Sequence, residues 1–205
     1  MRFIKISVLL TIIVSLVLIT FNFIMGRTPQ QPYQLIARKE NIEFRYYPQA
    51  VIAHFENNIP GYNRAANENF RVLASYIFGQ NDRNEKIPMT APVHVELKEN
   101  AVAMSFVMPQ GYHLTNLPKP LHPSIELQKT AACYVAAIRF GGWASDRIIT
   151  DKIQQLHNLL QRWGIKHHND FKFLGYNAPW QILFRRNEIV VSIDEEELNK
   201  ITAKK

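Results

Sequence analysis

Apolar side chains recur every three or four positions in two stretches of the chain, and on either side of each stretch they tend to alternate with polar ones. Tyr62, Ala66, Phe70, Leu73 and Ile77 form the first stripe, at spacings of four, four, three and four, the period of a helix that buries one face. Pro60 suits its first turn and Gly79 its stop, which predicts a helix over 61–78. Ile149, Ile153, Leu156, Leu160 and Trp163 form the second stripe; with Ser145 as N-cap and Gly164 at the end, they predict a helix over 145–163. Strands are expected at 42–55, 86–97 and 101–108, where Val102, Met104, Phe106 and Met108 share one face, and again at 124–140, 171–176 and 188–193. Gly141 and Gly142 break the long strand at 124–140, and LPKPLHP at 117–123 reads as an exposed extended loop, because its prolines donate no hydrogen bonds to a sheet.

The order is β-α-β-β, then β-α-β-β. A short echo accompanies it: Met89-Thr90-Ala91-Pro92-Val93 follows the first helix and Tyr176-Asn177-Ala178-Pro179-Trp180 the second. Phe55 lies 37 positions before Pro92, and Phe140 lies 39 before Pro179. The expected fold is therefore α+β, with duplicated β-α-β-β units forming a pseudo-twofold distorted β-barrel flanked by two helices. A cleft between helix and sheet is the natural ligand site.

The N-terminus adds one element. Residues 6–25 carry no charge over twenty positions, and as a helix they would be roughly 30 Å long, the thickness of a bilayer core. No small-x-small cleavage pattern ends the run, so an uncleaved single-pass transmembrane anchor is expected over 1–27. A linker then covers 28–40, the folded domain 41–198 and a C-terminal tail 199–205. Arg2 and Lys5 precede the span and favour export of the rest, placing the domain in the periplasm or otherwise outside the cytoplasm.

Charge and cysteine content narrow the function. Of the formal charge of +7, three units come from Arg2, Lys5 and Arg27, which leaves +4 spread along the remainder without a basic run. That pattern does not predict nucleic-acid binding and suits an anionic ligand or surface. Cys133 is the sole cysteine, so no intramolecular disulfide and no C-x-x-C site exist, and its place in an apolar run suggests a buried thiol. No H-E-x-x-H, G-x-S-x-G, P-loop or G-x-G-x-x-G occurs, and His167 and His168 are adjacent, so on a strand they would point to opposite faces. No dedicated metal site and no enzymatic activity are expected. The acidic run 194–197 reads as a solvated tail or the first turn of a short terminal helix.

Five segments in order carry a family resemblance: Ile42-Glu43-Phe44-Arg45-Tyr46-Tyr47, Tyr76-Ile77-Phe78-Gly79-Gln80-Asn81, Lys86-Ile87-Pro88-Met89-Thr90-Ala91-Pro92-Val93, Phe140-Gly141-Gly142 and Arg185-Arg186-Asn187-Glu188. Together they resemble the SOUL heme-binding family over nearly the whole domain. The family's fold is the duplicated β-α-β-β barrel, which is similar to the effector-binding domains of bacterial multidrug-responsive regulators. The resemblance implies a heme or related tetrapyrrole held in a hydrophobic groove beside the first helix. It assigns Phe70, Leu73 and Ala74 to the wall, Arg71 or Arg185 to the ligand's carboxylates, and Tyr46 to the position of an iron-ligating histidine. Ser75 and Gln181 stand where some members place lysines for the propionates.

A tyrosine can ligate ferric heme, and a porphyrin needs flat apolar walls with cations at its edge. The same residues also suit bland roles: Tyr46 as a packed strand tyrosine, Phe70 and Leu73 as ordinary core, Arg71 and Arg185 as solvated charges. The expected function is a membrane-anchored, non-catalytic binding protein for heme or another planar hydrophobic molecule. An effector-sensing or protein-interaction module on the same barrel is the alternative.

Overall fold

The structure is a computed structural model that describes residues 28–177, 181 and 183–202, together with 12, 13 and 15. Nine strands form one largely antiparallel sheet: β1 (Gln34–Lys39), β2 (Ile42–Tyr47), β3 (Val51–Asn57), β4 (Val93–Leu97), β5 (Val102–Val107), β6 (Glu126–Lys129), β7 (Cys133–Phe140), β8 (Lys172–Gly175) and β9 (Asn187–Ile193). Among the described residues the helices with defined bounds are α1 (Tyr62–Ile77), α2 (Asp146–Arg162) and the short α3 (Glu195–Thr202).

The strand order is β1-β2-β7-β9-β8-β4-β5-β3-β6. Read outward from the β8–β4 junction, the order is symmetric, with β9 matching β5, β7 matching β3 and β2 matching β6. Each half therefore receives a strand from the other, since β2 lies against β7 and β6 against β3. The two crossing connections are bonded together: Thr130 N–H donates to the Ala50 carbonyl at 2.8 Å, and Ala50 N–H donates to Thr130 Oγ1 at 3.1 Å.

Two expectations are corrected here. The sheet is open: β1 and β6 are its edges, and no ladder joins them among the described residues, so the barrel is not closed. β6 has only four residues, largely exposed, and follows the proline-rich 117–123 segment, features that keep an edge short and unpaired. The single-pass anchor over 1–27 is not supported either. Apart from Ile12, Ile13 and Ser15 that segment lies outside the described residues, and among the described residues no helix is long and apolar enough to cross a membrane. The two long helices have 16 and 17 residues and a polar face each, short of the roughly 20 apolar residues a span requires. The membrane and extracytoplasmic placement of the domain falls with the anchor.

Smaller differences have local causes. The strand expected at 42–55 is two strands, because at 48–50, where Pro48 offers no backbone donor, the chain leaves β2 beside β7 and enters β3 beside β5 and β6. The one expected at 124–140 divides at residues 130–132, where the chain passes to the other half. Residues 34–39, read as linker, form edge strand β1 against β2. The strand expected from 86 starts only at Val93, after Pro88 and Pro92.

Both helices pack on one face of the sheet, over a core that includes Phe44, Leu73, Phe106, Ile138, Leu156 and Ile189. A smaller cluster of Tyr47, Val135, Ala137, Leu174 and Val190 lies on the opposite face. Beside it sits a buried charge network. Arg45, 2% exposed, donates to both carboxylate oxygens of Glu188, 0% exposed, at 2.6 and 3.0 Å. Arg186 donates to the same carboxylate at 2.8 and 3.0 Å, and the Tyr176 hydroxyl donates to it at 2.9 Å. Burial alone would raise the Glu188 carboxyl; hydrogen bonds and charge from Arg45, with those of Arg186, outweigh it and hold the group below the ordinary carboxylate value.

Candidate ligand cleft

α1 starts at Gly61, whose φ of +88° is a backbone state natural to glycine. None of its own side chains caps the helix. The cap comes from the other half: the Asp146 carboxylate, in the first turn of α2, accepts from the backbone N–H of Tyr62 at 2.5 Å and of Asn63 at 3.1 Å. A carboxylate at this end also complements the helix dipole. The N-termini of the two helices are thereby fixed to each other.

The deeply buried face of α1 carries Ala65, Asn69, Leu73, Tyr76 and Ile77. Asn69 is fully buried and donates through Nδ2 to the Val102 carbonyl at 2.8 Å. The predicted stripe is therefore rotated: Tyr62, Ala66 and Phe70 lie on the flank and are only partly covered. That flank forms one wall of a cleft of about 250 Å3. Val93, Val95, Met104 and Phe173 from the sheet form its floor, and Trp143, Asn177, Arg185 and Asn187 its far side. The Tyr62 ring meets Phe173 edge-on at 5.2 Å between centroids, and Phe70 packs on Phe106 at 5.3 Å.

The far wall is held by the Arg185-Arg186-Asn187-Glu188 segment, whose side chains alternate. Arg185 reaches the cleft, with its guanidinium over the Trp143 ring at 4.2 Å, and it donates to the Gln181 carbonyl at 2.6 Å. Arg186 and Glu188 point into the charge network on the opposite face. Asn187 returns to the cleft and donates to the Gly142 carbonyl at 2.8 Å, fixing the turn that presents Trp143. Gly142 has φ of +81° in that turn. Trp143 is 56% exposed, and Leu183 and Phe184, next to Arg185 in the chain, are 67% and 96% exposed. Burial pushes the Tyr62 phenol up, the Arg185 charge opposes this, and Asp146 adds to it.

The sequence-predicted residues divide three ways. Phe70 and Arg185 line the cleft, and Gln181 joins them through Arg185 and through Asn177, which donates to its Oε1 at 3.2 Å. Leu73 and Ala74 are buried in the core behind the wall, and Arg71 is exposed. Tyr46 lies on β2, with its ring 5.1 Å from Tyr134, and is not among the cleft-lining residues. Tyr62, Trp143 and Asn187 were missed as site residues. Tyr62 headed a stripe read as core, and Trp143 followed the Gly-Gly pair read only as a strand break. Among cleft residues, Tyr62 and Met104 carry the atom types that can hold heme iron. Aromatic walls, a guanidinium and a phenol fit a flat anionic porphyrin. Among the described residues no group of three or more His, Cys, Asp or Glu is placed to hold a metal ion.

Residues 28–192 match the family described as SOUL heme-binding protein. The chain is 28% identical over 155 residues to heme-binding protein 2 of Homo sapiens, covering 72% of this chain and 75% of that protein. It is 22% identical over 179 residues to heme-binding protein 1 of Sus scrofa, covering 82% and 94%. Among solved structures, the EcmrR C-terminal domain aligns with a TM-score of 0.60 at 11% identity, over 79% of this chain and 98% of that one. A hydrolase from Listeria innocua aligns with a TM-score of 0.53 at 6% identity, over 77% and 94%. At such identities these two structures establish the fold alone.

Proposed function

Because the chain belongs to the SOUL heme-binding protein family, we propose that it binds heme or a related tetrapyrrole in the cleft beside α1 and performs no chemistry on it. The family is one of binding proteins, and heme is its ligand class. The observation that carries the placement is Arg185, held over Trp143 at the mouth of an aromatic-walled cleft.

The Tyr62–Phe70 flank and Trp143 would hold a flat ring between them, withdrawing their apolar surface from water. The cleft is smaller than such a guest, and exposed Leu183 and Phe184 supply further apolar surface outside it. Arg185, positioned by the Gln181 carbonyl, meets a ligand carboxylate, and Asn177 and Asn187 offer amides beside it. Heme, when bound, would supply an iron that a tyrosine phenol can hold, and Tyr62 is the cleft-lining tyrosine that would hold it.

Hemin titration of the purified protein tests this reading. A saturable Soret shift is expected at micromolar protein. Ala66→Trp, which fills the cleft, weakens binding at least about tenfold, or about 1.4 kcal/mol. Tyr62→Phe changes the band position, whereas Tyr46→Phe leaves it in place. Absence of a saturable shift, or full binding by the Ala66→Trp variant, refutes the proposal.

A further inference from the structure

A second cavity lies on the face of the sheet turned away from α1 and α2, and it shares no lining residue with the cleft. Strand alternation produces it. Val93 and Val95 face the cleft, so His94 and Glu96 face the other way; Phe173 and Gly175 stand in the same relation to Lys172 and Leu174. Its volume is about 490 Å3, larger than the cleft and within the roughly 300–1,000 Å3 usual for small-molecule sites.

The floor is apolar, made by Ile52, Val135, Leu174 and Val190. The rim carries charges of both signs, and most are already neutralised. Lys172 pairs with Glu96 at 2.8 Å, and Lys98 pairs with Glu56. Asp170 accepts from the backbone N–H and the hydroxyl of Ser192 at 2.9 and 2.6 Å. Lys129 is different: it is exposed at the rim and has no carboxylate partner among the described residues. Deeper in, His94 bonds through Nε2 to Gln31 Oε1 at 2.8 Å; burial, helped by Lys172, lowers it to about 4, so the imidazole is neutral near pH 7 and adds no cation there.

We propose that this cavity binds an amphipathic monocarboxylate, with its tail on the floor of Ile52, Val135, Leu174 and Val190 and its carboxylate beside Lys129. The orientation follows from desolvation. A carboxylate carried to the floor would lose its water without gaining a cation, whereas at the rim it keeps water and meets the one uncompensated ammonium. A second carboxylate would face Asp170, whose bonds to the neutral Ser192 leave its charge in place, which limits the ligand to one negative charge.

Cys133, the chain's sole cysteine, lines the cavity at the start of β7 and reports its occupancy. The experiment adds dodecanoate, below its micellar concentration, to the purified protein and follows alkylation of Cys133 by N-ethylmaleimide with mass spectrometry. Binding is measured in parallel by calorimetry. Dodecanoate is expected to slow alkylation saturably, and dodecyltrimethylammonium, with the same tail and opposite charge, to do so far less. Lys129→Glu, at an exposed position, moves the midpoint about fivefold or more to higher concentration, and Leu174→Trp removes the binding heat. Equal protection by the cationic amphiphile, an unchanged midpoint in Lys129→Glu, or no protection overturns the proposal. Hemin titration with saturating dodecanoate separates the two sites. An unchanged hemin midpoint supports this assignment, and competition places the tail in the α1 cleft and overturns it. Failure of hemin binding alone leaves the Cys133 readout intact.

Discussion

Replacing Glu188 with glutamine tests the charge network behind the cleft. The substitution keeps shape and removes the charge that balances Arg186 and the more buried of the two carboxylates on Arg45, whose other partner, Glu43 at 2.7 Å, remains; it also turns one carboxylate oxygen into an NH2 facing guanidinium donors. Arg45 is 2% exposed and cannot recover its solvation in place. Breaking a buried pair from one side costs about 3–5 kcal/mol, a large share of the 5–15 kcal/mol typical of a domain. Arg186, with 19% of its side chain exposed, can turn partly to water, so the lower half of that range is expected. Removing both partners, as Arg45→Met with Glu188→Leu, takes away the two fully buried charges and leaves only the partly exposed Arg186 and Glu43 without them, so it is expected to cost about 2 kcal/mol less than the sum of the single changes. Urea unfolding at pH 7 measures all three variants, compared by midpoint at constant slope. The Glu188 carboxyl is held below its unfolded value, so its contribution is complete above that value and is lost as pH falls through the folded one. Glu188→Gln should therefore flatten the acid side of the stability profile. A single-variant cost below about 1 kcal/mol, or strict additivity in the double variant, would refute the argument.

Three further outcomes are expected. Asp146→Ala uncaps α1 from outside and lowers stability by about 0.5–2 kcal/mol; it also weakens hemin binding, because Tyr62 and Asn63 lose their anchor, and chemical denaturation with a hemin titration checks both. Gly142→Ala forces a side chain into φ of +81°, costs about 1–2 kcal/mol and displaces Trp143, so hemin affinity falls with stability in the same two assays. His94 is neutral in the fold and lowered to about 4; the unfolded chain binds its proton first, so stability declines as pH falls from about 6.5 toward 4. His94→Asn should remove that part of the decline in urea midpoints measured across the window.

Much of the fold was legible because both helices carry strong apolar stripes and because the second announces its cap: Ser145 accepts from Ile148 N–H at 3.4 Å. Strand partners were not legible. That β2 lies against β7 rather than β3 is decided across the whole chain, and alternation within a strand says nothing about its neighbour. Sheet closure was inferred from duplication and family resemblance, but it requires a β1–β6 ladder that neither edge sequence encodes. At the site, Phe70 and Arg185 were legible from the helix stripe and the Arg185-Arg186-Asn187-Glu188 segment. Tyr62 and Ala66 were placed in the core because a polar residue, Asn69, occupies the buried face, and a hydrophobicity pattern cannot show that its amide Nδ2 donates to the Val102 carbonyl there. Cys133 was expected inside a strand and sits half-covered at the start of β7, where the chain has just crossed from the other half.

The exchange of β2 and β6 has an evolutionary corollary. A chain of half this length would leave one ladder open and hold one strand with nothing of its own to pair, and a twin of itself is the natural complement for both. An ancestral homodimer of that kind has the strand order of the present chain without β1, which has no counterpart beyond β6, and tandem fusion of its gene turns the symmetry axis into an internal one. After fusion the copies need no longer match: the flank of α1 borders the cleft, whereas α2 contributes none of its lining residues.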